Sequence, residues 1–137
     1  MEQNYQNVLK EIPEMFLGPV QINRVAVMAI DFLTQVNTQE NIEAIQFILS
    51  RQEKQLNKLY EILEEKLKVC EFVSDLMKVW PERFLGAIHI NRAVVMALNF
   101  LEQSNSGESI EALQFELNNQ EQLLNELYKE IGEVAFA

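Results

Sequence analysis

FLGPVQINRVAVMAIDFLTQVNTQENIEAIQFILSRQEKQLNKLYEIL, residues 16–63, lies over FLGAIHINRAVVMALNFLEQSNSGESIEALQFELNNQEQLLNELYKEI, residues 84–131, without a gap. The shift is 68 positions, and roughly half of the aligned residues are identical. Chance does not give that agreement, and a repeat found this way fixes the architecture before any other feature is read. The match reaches back through Pro13-Glu14 and Pro81-Glu82. The chain therefore reads as a tandem duplication of one helical hairpin unit. It forms a single domain over residues 1–137, with repeats at about 1–66 and 67–137.

Each unit resolves into three pieces. A short lead-in helix (Tyr5 to Ile12, and Leu67 to Trp80) is predicted to end at the proline, which has a fixed φ and no N–H to continue a helix. A first long helix follows over about Gly18 to Val36 and Gly86 to Ser104. Thr38 and Ser106 are suited to cap the next helix, and Glu40 and Glu108 lie in its first turn, where the helix dipole favours negative charge. That second long helix covers about Gln39 to Leu63 and Glu108 to Val134. In the first copy it is open to continuing through EEKLKVCEFVSDLMKVW into the next lead-in.

The pattern of apolar residues says what each helix buries. Ile22, Val25, Ala26, Ala29, Ile30, Phe32, Leu33 and Val36 cover well over half the circumference of the first helix, so it is expected to be nearly surrounded by protein. The second helix carries a heptad seam: Ile42, Ile45, Leu49, Leu56, Leu59 and Leu63, matched by Ile110, Leu113, Leu117, Leu124, Leu127 and Ile131. Gln52 and Gln120 interrupt the two seams at equivalent places, and one polar residue in a seam commonly fixes register or partner choice. The expected fold class is all-α, an antiparallel four-helix-type bundle with short lead-in helices.

Composition agrees. Four glycines and three prolines leave little room for irregular loops or β turns, and Leu, Glu, Gln, Ala, Met and Lys lose little side-chain freedom in a helix. The formal net charge of −10 disfavours nucleic acid and anionic membrane, both of which select Lys and Arg. It suits a partner with a basic surface. The longest apolar run, Val25 to Ile30, is too short to span a bilayer, and the first residues do not resemble a signal peptide. A cytoplasmic location is expected by elimination. Cys70 is the single cysteine, which leaves no internal disulfide; in the pattern Leu67, Cys70, Val73 it reads as a small buried thiol.

The sequence carries no recognisable catalytic constellation. A dinuclear metal site in a bundle needs inward Glu-x-x-His pairs, but the one histidine, His89, has Gln21 as its counterpart. No metal or cofactor is expected. Ser50, Ser74, Ser104, Ser106 and Ser109 lie in loops or on polar faces, none in a nucleophile elbow. Cys70 stands beside Glu71 with no basic run to lower its pKa. No phosphate-binding or dinucleotide fingerprint occurs. The chain reads as a non-enzyme.

Three pairs kept in both halves remain as candidates. Arg24 and Arg92, with Asn23 and Asn91 before them, sit in the polar stripe of the first helix. Folding the hairpin predicts the ion pairs Arg24–Glu53 and Arg92–Glu121; the alternative is that both arginines converge on an anionic ligand. Phe47 and Phe115 lie opposite the centre of their seams, with Ala44 and Ala112 one turn earlier. Either a lead-in helix covers them or they form an aromatic anchor for a partner. Tyr60 and Tyr128 are expected at the base, near Phe16 and Phe84, and Trp80 in the core at the join.

The copies also differ along one edge: Ile48 becomes Glu116, Arg51 Asn119, Lys54 Gln122 and Lys58 Glu126. The leading expectation is a small acidic helical adaptor or inhibitor that binds another protein through Phe47, Phe115, Ala44 and Ala112. The alternatives are a sensor of a small anionic ligand or nucleotide at Arg24, Arg92, Asn23 and Asn91, and a structural subunit of a homo-oligomer.

Overall fold

The computed structural model describes residues 2–68, 75–101 and 103–136. Cys70 and Ser74 lie outside these residues. The described chain is all-α: α1 (Glu2–Leu33), α2 (Gln39–Lys68), the single turn α3 (Asp75–Lys78), α4 (Trp80–Leu101) and α5 (Gly107–Ala135). The turns that separate the long helices carry the expected caps. Thr38 Oγ1 accepts from the Asn41 N–H at 3.2 Å, and Ser106 Oγ from the Ser109 N–H at 3.2 Å. Each satisfies a first-turn donor that has no partner within the helix.

One boundary differs from the sequence reading. The prolines do not end the lead-in in the first half, where α1 runs through both Pro13 and Pro19. An interior proline costs about 3 kcal/mol. Ile12 and Phe16, both fully buried near Pro13, contribute roughly 1.5–3 kcal/mol each through burial, which offsets the cost of that proline. In the second half Pro81 is the second residue of α4, a position whose N–H would be unpaired anyway, so there it does mark a helix start.

Packing follows a simple adjacency. α1 packs against α2 and α5, and α4 packs against the same two helices. Hydrogen bonds give the sense: passing along α1 from Arg24 to Asp31 runs back along α5 from Glu121 to Gln114. Between α4 and α2 the pairs Arg92–Glu53 and Asn99–Gln46 run the same way, so these neighbours are antiparallel. The interaction set repeats under the 68-residue shift. Asn37 and Asn105 exchange amide hydrogen bonds at 2.7 Å across the shift itself, and Phe16 meets Phe84 edge-on with centroids 5.5 Å apart.

The core has two apolar compartments. One gathers Phe16, Leu56, Leu63, Trp80, Phe84 and Leu127 with their neighbours; the other gathers Ile30, Ile42, Leu49, Leu98, Ile110 and Leu117 with theirs. Four fully buried amides, Asn23, Gln52, Asn91 and Gln120, lie between the two groups along every long helix. Gln52 Nε2 donates to the Pro19 carbonyl at 2.8 Å and Gln120 Nε2 to the Ala87 carbonyl at 2.7 Å. Asn23 Nδ2 donates to the Leu117 carbonyl at 3.3 Å and Asn91 Nδ2 to the Leu49 carbonyl at 3.2 Å. The bonds thus pass from α2 to α1, α1 to α5, α5 to α4 and α4 to α2. They tie all four long helices in one ring.

Burial of the first helix is a second correction. It is not nearly surrounded, because α1 has long neighbours on two sides only, and Val25, Met28, Phe32 and Val36 face out. Residues 10–33 and 80–101 are also long and apolar enough, by length and composition alone, to cross a membrane, although no single apolar run is. Averaging hides Asn23-Arg24 and Asn91-Arg92 at mid-helix.

Tyr60 packs against the first compartment and donates to Glu64 Oε1 at 3.2 Å. Lost hydration raises its pKa above 10.0, and the hydrogen bond and negative charge of Glu64 add to this. The folded state therefore holds this proton more tightly than the unfolded chain, so the contribution is present below pH 10 and is lost as pH rises through the folded value. In a spectrophotometric titration of tyrosinate absorbance, Tyr60→Phe is expected to remove a component that ionises above pH 10. An unchanged profile above pH 10 would contradict the assignment.

Candidate functional site

Helical spacing builds the first face. Gln21, Val25, Met28 and Phe32 follow one another by four, three and four residues and so share one stripe of α1. Phe47 projects from α2 beside this stripe. A groove of about 290 Å³ between the two helices is lined by Gln21, Ile22, Val25, Phe47, Ile48 and Arg51. Phe47 is 65% exposed and Met28 64%. Ala44, one turn before Phe47, is also exposed. No lead-in helix covers this aromatic side chain.

The equivalent face of the second half is built from α4 and α5. Phe115 is 64% exposed and Met96 66%, with Phe100 and Ala112 exposed on the same helices. His89 is exposed and takes the place of Gln21. Position for position the second face is less apolar, since Ala93 stands for Val25 and Glu116 for Ile48. The two faces lie on opposite sides of the molecule, because α1 and α4 are each flanked by α2 and α5.

The arginines belong to the other two sides. Arg24 pairs with Glu121 of α5 at 2.7 Å, and Arg92 with Glu53 of α2 at 3.1 Å. The expected pairs Arg24–Glu53 and Arg92–Glu121 are thereby corrected: the carboxylates are the equivalent ones, taken from the opposite half. The polar stripe of α1 turns toward α5, not toward its own hairpin partner. The two arginines accordingly sit on separate sides and do not converge. Asn23 and Asn91, the other anion candidates, are buried with their amide hydrogens given to backbone carbonyls.

Both arginine side chains are about two-thirds exposed (68% and 62%), and exposed pairs of this kind contribute roughly 0–1 kcal/mol. Arg24→Ala with Arg92→Ala is therefore expected to lower stability by less than about 2 kcal/mol in chemical denaturation. A larger loss would show that these pairs hold the two halves together.

Among the described residues no group of three or more His, Cys, Asp and Glu side chains is placed to hold a metal ion. The four buried amides were missed as a unit by the sequence reading, which took the glutamines as polar interruptions of the seams and the asparagines as anion-binding candidates. Their shared depth depends on which helices are neighbours. The exposed Met28, Phe32, Met96 and Phe100 were missed too, although the four-three-four spacing with Phe47 opposite carries the signal. Comparison with protein-family models, with curated proteins and with solved structures finds no match to this chain.

Proposed function

We propose that the chain is a small acidic helical module that docks another protein on its phenylalanine faces and catalyses no reaction. The observation that carries this is the exposure of Phe47 and Phe115, each standing among other exposed apolar side chains. Exposed apolar patches on a soluble chain mark interaction surfaces, and aromatic anchors with small neighbours supply most of the energy at such contacts. The fold in this reading is an antiparallel four-helix bundle that arose by tandem duplication. The helix adjacency and the recurrence of contacts at a 68-residue shift support it. The duplicated origin explains why there are two docking faces.

The module is proposed to be cytoplasmic and free of cofactors, nucleic acid and membrane. Its net charge of −10 argues for partners that are not polyanions. Arg24 and Arg92 at the middle of the two apolar helices, both ion-paired, argue against a membrane path. The test is affinity capture by the tagged protein beside the Phe47→Glu/Phe115→Glu variant. A protein enriched by the wild type and lost with the variant supports the reading, and identical capture by both contradicts it.

An anion sensor at Arg24 and Arg92 is the second reading, weakened by their separation. A thermal-shift screen of anionic metabolites checks it, since a ligand of the folded state raises the melting temperature.

A further inference from the structure

We propose that the α1/α2 face of one copy docks on the α4/α5 face of a second copy, so that the chain assembles head to tail. This rests on the reading of the two phenylalanine faces as docking surfaces and names the partner. Both faces offer an exposed phenylalanine on one helix beside exposed methionine and phenylalanine on the other. What distinguishes them is charge, and the difference runs along a single helical edge. Phe47, Arg51, Lys54 and Lys58 are spaced by four, three and four residues, which keeps them on one stripe of α2. The same stripe of α5 holds Phe115, Asn119, Gln122 and Glu126, with Glu116 beside Phe115 in place of Ile48.

The cations of this edge are uncommitted. Arg24, Lys66, Arg83 and Arg92 all pair with carboxylates. Arg51, Lys54 and Lys58 pair with none among the described residues, in a chain that carries 21 acidic side chains. On the other face Glu116 and Glu126 likewise meet no cation, and Glu126 accepts only from Gln122 Nε2, at 3.2 Å. From Phe47 to Lys58 the α1/α2 face is basic and from Phe115 to Glu126 the α4/α5 face is acidic, the signs reversing one turn on at the exposed Glu61 and Lys129. Two apolar faces of matching build and unlike local charge therefore stand on one molecule. Docking like on like sets cations beside cations, whereas docking unlike faces pairs them and covers both phenylalanines. Because the faces point in opposite directions, the contact does not close into a two-fold dimer. It leaves a free face at each end and propagates.

Sedimentation velocity of the wild type is expected to show species beyond the dimer growing with concentration. Phe47→Glu keeps only the acidic face, and Phe115→Glu keeps only the basic one. Each variant alone is expected to be monomeric, and an equimolar mixture to form a one-to-one dimer and nothing larger. Adding Lys54→Glu and Lys58→Glu to the Phe115→Glu chain is expected to weaken that dimer roughly tenfold. Glu126→Lys in its companion should recover it.

Self-association of Phe115→Glu alone would overturn the proposal, because the basic face would then bind its own kind. A wild type that stays monomeric overturns it as well. If that monomer still captures a protein that Phe47→Glu/Phe115→Glu loses, the docking reading stands while self-assembly falls.

Discussion

Replacing Gln52 by Glu is expected to cost about 1 kcal/mol at pH 5 and about 3 to 4 kcal/mol at pH 7, relative to the wild type at the same pH. Gln52 is fully buried, its Nε2 donates to the Pro19 carbonyl at 2.8 Å, and its Oε1 has no protein partner. A protonated glutamic acid has nearly the same shape and an O–H to donate to that carbonyl. An ionised one has lost the donor, and its buried neighbours in the layer are neutral amides with no charge to pair with it. Burial of this kind raises a carboxyl pKa by about three units. The folded value then lies above the unfolded one near 4.3. Stability is complete below the unfolded value and falls as pH rises toward the folded one. Gln120→Glu, whose parent side chain donates to the Ala87 carbonyl at 2.7 Å, is expected to behave alike. Urea denaturation at the two pH values checks both variants, and an equal loss at pH 5 and pH 7 would show that the site is wet.

Phe47→Glu with Phe115→Glu is expected to leave helicity unchanged and stability within about 1 kcal/mol, because both rings face solvent. Its effect on partner binding is expected to be at least a hundredfold. Covering a phenylalanine ring on docking contributes roughly 1.5–3 kcal/mol, and the new carboxylate must also be stripped of water there. The single variants separate the faces. A partner that uses the α1/α2 face alone is lost with Phe47→Glu and retained by Phe115→Glu. Circular dichroism and the melting temperature, taken beside titration calorimetry with the captured protein, distinguish lost docking from lost folding. A variant that unfolds would place these rings in the core after all.

Much of this was legible because a repeat constrains itself. The turn residues Thr38 and Ser106, the seam leucines and the interrupting Gln52 and Gln120 take their roles from spacing within one helix, and spacing is written in the sequence. What depends on the order of helices around the molecule was not. Arg24 has a carboxylate, Glu53, at the matching level of its own hairpin partner and an equivalent one, Glu121, on α5, and periodicity along α1 is the same whichever helix its polar stripe faces. Asn23 and Val25 illustrate the same limit. The apolar arc drawn for the first helix includes Val25 and leaves out Asn23, yet Asn23 is buried and Val25 is exposed. The buried asparagine gains a backbone partner on α5, which no local pattern announces. Pro13 misled for a related reason. Its cost is local, whereas the burial of Ile12 and Phe16 that offsets it comes from distant residues.

The docking claim is tested most directly by placing a photo-crosslinking benzoylphenylalanine at position 47 and, separately, at 115, with a third chain carrying it at the exposed Asn57. Asn57 lies one turn beyond Glu53, on the polar side of α2 that meets α4. Irradiation in the native lysate is expected to yield discrete protein adducts from positions 47 and 115 and none from 57. Adducts of equal yield at all three positions, or none at 47 and 115, would contradict the assignment of these faces as the working surface of the molecule.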